Sequence, residues 1–151
     1  LGRSACDQGY DDLALESLRF IDRAFGRSAV RAFAAERAAR MTAGGDLLSI
    51  VDVLNGEGYA ATLEPALNDS HSSQLCQHHC PVVSAASEFP ELCEEETRAF
   101  SAALGQHVTR LATLAHGDPI CTTLIPQQVS HEQMKVTTQT RAPRKSREVT
   151  A

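Results

Sequence analysis

The chain has 151 residues, is 42% hydrophobic and 22% charged, and carries a formal net charge of −5 at pH 7. That length suits one domain with a single core plus a tail. The acidic balance gives no global attraction to nucleic acid, no apolar run reaches the roughly 18 residues of a membrane span, and no secretory h-region opens the chain.

Residues 1–9 read as a frayed lead-in, the stub of a lost upstream domain, and the first residue is Leu1 rather than Met. From Tyr10 to Phe25 apolar residues recur at helical steps (Leu15, Leu18, Ile21, Phe25), with Asp11 or Asp12 as the cap. Gly26 ends that segment. Ser28 caps a second helix, with Val30, Phe33, Ala34 and Met41 on one face and Arg31, Glu36 and Arg40 on the other. Gly44-Gly45 breaks it. Asp46 begins a third helix with the stripe Leu47, Leu48, Val51 and Leu54, stopped at Asn55-Gly56.

Tyr59 to Leu63 reads as a strand, residues 65–73 as a polar loop, and Gln74 to His79 as a strand running into Cys80. Pro81 to Ser87 fits a short helix, because Pro suits a first helical turn. Pro90 to Leu104 reads as a longer helix with Leu92, Phe100 and Leu104 apolar. Its run Glu94-Glu95-Glu96 reads as a solvated start that suits the helix dipole. His107 to Ala115 and Ile120 to Ile125 form a hairpin about Gly117-Asp118-Pro119. Gln127 to Ala151 is polar, Thr-rich and finally basic, and reads as a disordered tail. The expected fold is therefore α+β: N-terminal helices plus a small, mostly antiparallel sheet with a cysteine-bearing helix packed on it.

The chemistry lies in the cysteines. Five cysteines without a signal peptide point to a reducing cytoplasm, where thiols stay free or bind metal. Cys80, Cys93 and Cys121 sit at three different junctions, with 12 and 27 residues between them. Three soft thiolates converging on one point suit an iron–sulfur cluster, with zinc as the alternative. At a helix start, Cys93 is expected to have a lowered pKa. His107, Cys76, His78 and His79 are the candidates for a fourth ligand, with His107 first and Cys76 next. His116 reads as a turn residue and Cys6 as a bystander. Cys76-x3-Cys80 loosely fits a zinc hook, but no second hook follows. There is no phosphate loop, no nucleophile elbow and no H-E-x-x-H, and Cys93 with His107 lacks a substrate pocket, so no enzyme is expected.

The segments Leu75-Cys76-Gln77-His78-His79-Cys80-Pro81, Glu88-Phe89-Pro90-Glu91-Leu92-Cys93-Glu94, His107 to Asp118 and Cys121-Thr122-Thr123 resemble the C-terminal half of SufR-type repressors, in their actinobacterial form. These are winged-helix regulators of iron–sulfur cluster assembly operons. The likeness covers about residues 10–126; it is specific in the cysteine block and weak in the helices. It implies a homodimeric transcriptional repressor whose 10–126 region is a dimerisation and sensor domain. It implies a 4Fe–4S or 2Fe–2S cluster held by Cys80, Cys93 and Cys121. Some members have a fourth cysteine near the place of His107. The family's winged helix has no counterpart before Tyr10, so this chain is expected to hold the cluster and dimerise while operator DNA binding belongs to the missing module.

Overall fold

The computed structural model describes residues 5–67 and 69–126; the tail expected at 127–151 lies outside the described residues. In chain order the elements are α1 (Ala5–Phe25), α2 (Arg27–Met41), α3 (Leu47–Gly56), β1 (Ala61–Ala66), β2 (Asp69–Gln77), α4 (Val83–Glu88), α5 (Glu91–Leu104), β3 (Thr109–Ala112) and β4 (Cys121–Pro126), with a 3₁₀ turn at Leu114–His116. The strands form one antiparallel sheet in the order β1-β2-β4-β3. The architecture is the α+β one expected, with three helices first and α5 against the sheet. Among the described residues no helix is long and apolar enough to cross a membrane.

Local chemistry fixes most boundaries. Gly26 adopts φ 83°, which a residue with a side chain rarely takes, and so turns α1 into α2 without a linker. The expected cap at Ser28 is therefore displaced, since α2 already begins at Arg27. Asp46 caps α3 as its sequence suggests: Oδ1 accepts from the Ser49 backbone N–H at 3.0 Å and Oδ2 from its hydroxyl at 2.6 Å. Asn55 does more than stop that helix. Its amide exchanges two bonds with the Ala61 backbone, at 2.6 and 3.1 Å, and so pins α3 to the first residue of β1.

Three expectations are corrected. Residues 5–9 are helical rather than frayed, because α1 extends back to Ala5 and takes Asp11 and Asp12 into its interior; once nucleated, a helix extends by one bond per residue. Much of the stretch 65–73 is strand rather than loop, because β2 is a central strand whose backbone bonds to both β1 and β4, and such a ladder accepts Ser and His side chains. The strand expected at His107–Ala115 is only Thr109–Ala112. There Thr113 Oγ1 accepts from His116 N–H (3.2 Å) and Asp118 Oδ2 from Thr113 N–H (2.8 Å), closing a 3₁₀ turn.

Two apolar clusters make the core. One joins the inner sheet face to α3 and α5 through Ile50, Leu54, Leu75, Phe100, Val108 and Ile125. The other joins α1, α2, α4 and the start of α5 through Leu18, Val30, Phe89 and Leu92. Helices α2 and α5 run alongside each other in the same direction, and a row of ion pairs sets their register. Arg27 Nε donates to Glu91 Oε1 and Arg31 Nη1 to Glu95 Oε1, both at 2.8 Å; Arg19 of α1 grips Glu88 just before them, at 2.6 Å. Arg27 and Arg31 remain 46% and 42% exposed, so solvent screens these pairs and they add little to stability. Their effect is to fix alignment.

Phe100 is fully buried between the sheet and α3. Phe100→Ala is expected to lower unfolding free energy by about 3–5 kcal/mol in urea titration, the usual cost of an emptied aromatic site. A loss below about 1 kcal/mol would contradict this core placement.

Candidate metal centre

Three junctions bring three cysteines to one place. Cys80 follows β2, where His78 N–H donates to Ala60 C=O (3.2 Å) and His79 N–H to Tyr59 C=O (3.1 Å), carrying the β1–β2 pairing beyond the strand. Cys93 is in the first turn of α5. Cys121 opens β4, paired with Gln77. All three line one small cavity with Tyr59, Gln77, Glu96 and Arg110. Their charges act on one another: an ionised Cys80 or Cys121 raises the Cys93 pKa. The cavity lies where the two apolar clusters meet, since Cys80 belongs to the sheet cluster and Cys93 packs on the helical one.

The electrostatics correct one expectation. Burial, reinforced by Glu96, pushes the Cys93 thiol up to about 12, although it sits at a helix start. Burial likewise pushes Cys80 up to about 11. Desolvation of the charged form outweighs the helix amides. Two of the sulfurs nevertheless accept backbone N–H groups: Leu114 donates to Cys121 Sγ at 3.2 Å, and Val82 donates to Cys80. Such contacts stabilise a bound thiolate sulfur.

The run Glu94-Glu95-Glu96 is not a solvated start. Glu94 is exposed, but Glu95 and Glu96 are buried. Glu95 faces Arg31 and Arg98. Glu96 turns into the cavity, where its Oε1 accepts from Arg110 Nη2 at 2.8 Å and from Gln77 Nε2 at 3.1 Å. The Arg110 side chain is only 12% exposed; its Nη1 donates to Gln77 Oε1 at 3.3 Å, and among the described residues its Nε has no hydrogen-bond partner. A bulge between Arg110 and Ala112 leaves Leu111 exposed as the extra residue and keeps Arg110 level with Thr123 on the inner face.

Sequence reasoning missed Glu96 and Arg110. Two signals point to them. Glu96 follows Cys93 by one helical turn, which puts both on one face. Arg110 stands two residues after the buried Val108, a spacing that puts both on the inner side of an extended segment.

The other candidates lie apart. Cys76 is buried, but it pairs with Thr62 and Thr122 and so occupies the opposite sheet face from Cys121. His107 is exposed ahead of β3 and does not line the cavity. His78 Nε2 contacts Thr62 Oγ1 at 2.9 Å; His78 and His79 line a separate hollow of about 120 Å³ on the far side of Cys80. His116 faces an open cleft of about 350 Å³ that shares Cys93 and Arg110 with the central cavity. Cys6 lies in α1.

Three thiols and a carboxylate line one cavity, and in kind they are metal donors. The enclosed space is about 20 Å³, room for about one water. Among the described residues, no group of three His, Cys, Asp or Glu is placed to hold a metal ion. Comparison with protein-family models, with curated proteins and with solved structures found no match.

In the metal-free chain, Cys80 and Cys93 stay protonated in the folded state while the unfolded thiols ionise near their ordinary 9.0. The unfolded state then binds fewer protons, so stability falls as pH rises. The contribution is full below pH 9.0 and is lost progressively up to about 11 for Cys80 and about 12 for Cys93. Ultraviolet thiolate absorbance is expected to show these two groups titrating well above a free thiol; titration of both near or below the free-thiol value would contradict the burial account.

Proposed function

We propose that residues 10–126 form the sensor and dimerisation part of a SufR-type transcriptional repressor, holding an iron–sulfur cluster through Cys80, Cys93 and Cys121. One observation carries the reading: three cysteines far apart in sequence, on three elements, line a single cavity. The cysteine-block resemblance supports it independently. An iron–sulfur cluster, when bound, supplies redox and oxygen sensitivity. The chain's own residues supply the rest. Backbone N–H groups of Val82 and Leu114 orient two sulfurs, the bulk of Leu92 and Val82 limits water, and Arg110 balances the negative charge of the ligands.

A group held by all three cysteines binds only when the sheet cluster and the helical cluster are docked. Its binding free energy therefore stabilises the docked state over any loosened one. Helix α1 lies on the helical cluster and connects the site to a pairing surface. Tyr10, Leu13 and Phe20 recur along one side of α1 and are 76%, 59% and 59% exposed. In this reading that stripe is the homodimer seam. Operator DNA in the family is gripped by a winged-helix module, and the proposal for these residues is confined to cluster binding and pairing in the cytoplasm.

Anaerobic purification after reconstitution with iron and sulfide is expected to give a brown protein with thiolate-to-iron charge-transfer bands. Cys80→Ser, Cys93→Ser and Cys121→Ser are each expected to reduce cluster content sharply, while Cys76→Ser leaves it unchanged. A colourless protein that carries zinc on elemental analysis would replace this reading with a structural zinc module. A triple serine variant with unchanged metal content and stability would make the cysteines incidental. Light scattering is expected to give a dimer that Leu13→Glu with Phe20→Glu converts to a monomer; a wild-type monomer with and without cluster would contradict the seam.

A further inference from the structure

We propose that a second copy of the chain covers the exposed face of α1 and the hollow beside it, with the two α1 helices antiparallel and Glu16 of each meeting the partner's Arg23. The proposal rests on the reading of α1 as a pairing surface and gives it an orientation, a second wall on α2 and two ion pairs. Tyr10, Leu13, Ser17, Phe20 and Ala24 follow one another by alternating steps of three and four residues, and all five are exposed. Those steps keep them on one line of the helix, the seam pattern of a two-stranded coil. Ala14 and Ile21 flank the seam on one side, Glu16 and Arg23 on the other.

The side that carries Ala14 and Ile21 opens into an apolar hollow of about 200 Å³, walled by Leu18 of α1, Phe33 of α2, Ala85 of α4 and Leu92 of α5. Ser17 belongs both to the seam and to the hollow, so the two form one continuous surface. Phe33, on the α2 wall, is 43% exposed. Interiors are close-packed, and an apolar surface of this extent marks a place where another protein surface docks.

Two features specify a second copy running in the opposite direction. The first is size. Antiparallel pairing about a two-fold axis between Leu18 and Arg19 sets Leu13 against the partner's Ala24 and Phe20 against the partner's Ser17, large against small, and repeats each contact. Parallel pairing would set Phe20 on Phe20 and Ser17 on Ser17. The second is charge. In an antiparallel pair the same flank of each helix meets, which brings Glu16 opposite the partner's Arg23 twice; a parallel pair would face Glu16 with Ile21. Arg19 is held by Glu88 of α4, so Arg23 is the basic residue that α1 offers to this contact. Exposed pairs of this kind set orientation more than affinity.

Sedimentation velocity of the full chain over a concentration series reads the dimer dissociation constant. Glu16→Arg and Arg23→Glu are each expected to weaken the dimer about 3- to 10-fold, and the double variant to return to within about 2-fold of wild type. The chain has no tryptophan, so Phe33→Trp reports on the hollow: its emission is expected to move to shorter wavelength as concentration drives pairing. Far-UV circular dichroism checks that each variant keeps the fold. Should a charge variant unfold, the wild type still decides: its dimer is expected to weaken as added salt screens the pairs, and a dimer indifferent to salt overturns them. A wild-type monomer overturns both this proposal and the pairing reading of α1. A dimer that Leu13→Glu with Phe20→Glu breaks, but that the charge reversals leave unchanged or the double variant fails to restore, overturns the antiparallel arrangement alone. Tryptophan emission independent of concentration overturns the covering of the hollow.

Discussion

The ion pair between Glu96 and Arg110 is the constraint on which the site depends. Both side chains are about one-tenth exposed, so neither charge is well solvated. Removing one member of such a pair strands the other and typically costs about 3–5 kcal/mol. The pair joins α5 to β3, and Gln77 of β2 bonds to both partners. One polar knot therefore holds together the two elements that carry Cys93 and flank Cys121. A domain built for stability alone would gain as much from apolar residues in that position.

The surrounding packing gives the site its reach. The cavity lies on the boundary between a cluster made by the sheet with α3 and α5, and a cluster made by α1, α2 and α4. Arg27 and Arg31 align α2 with α5, and Arg19 ties α1 to the end of α4. A change of state at the cysteines thus has a short mechanical path to α1, through α5 and its ion pairs. In the proposed dimer, the exposed stripe on α1 is where such a change would meet a second chain.

The helices were legible because their signals are local. Gly26, Asp46 and Gly105 act on neighbouring residues through backbone conformation and capping, and the apolar stripes of α1 and α3 repeat at the helical period. Strand β2 was not, because its polar side chains from Asp69 to Gln74 follow no alternating pattern; its strand character comes from having a partner on each edge. The convergence of Cys80, Cys93 and Cys121 could be suspected from residue type, but their common cavity needed the fold. Glu95 and Glu96 looked like surface charge, since sequence does not say that arginines from α2 and β3 wait opposite them. Cys93 went the other way: a helix start suggested an acidic thiol, and burial reversed it.

The central claim is that three cysteines grip one shared iron–sulfur group. X-ray absorption at the iron edge of the anaerobically reconstituted chain tests it most directly. The account predicts a dominant iron–sulfur shell accompanied by an iron–iron shell, both lost when Cys80, Cys93 and Cys121 are replaced together. Iron surrounded only by oxygen and nitrogen, or an iron–iron shell that survives the triple replacement, would contradict it.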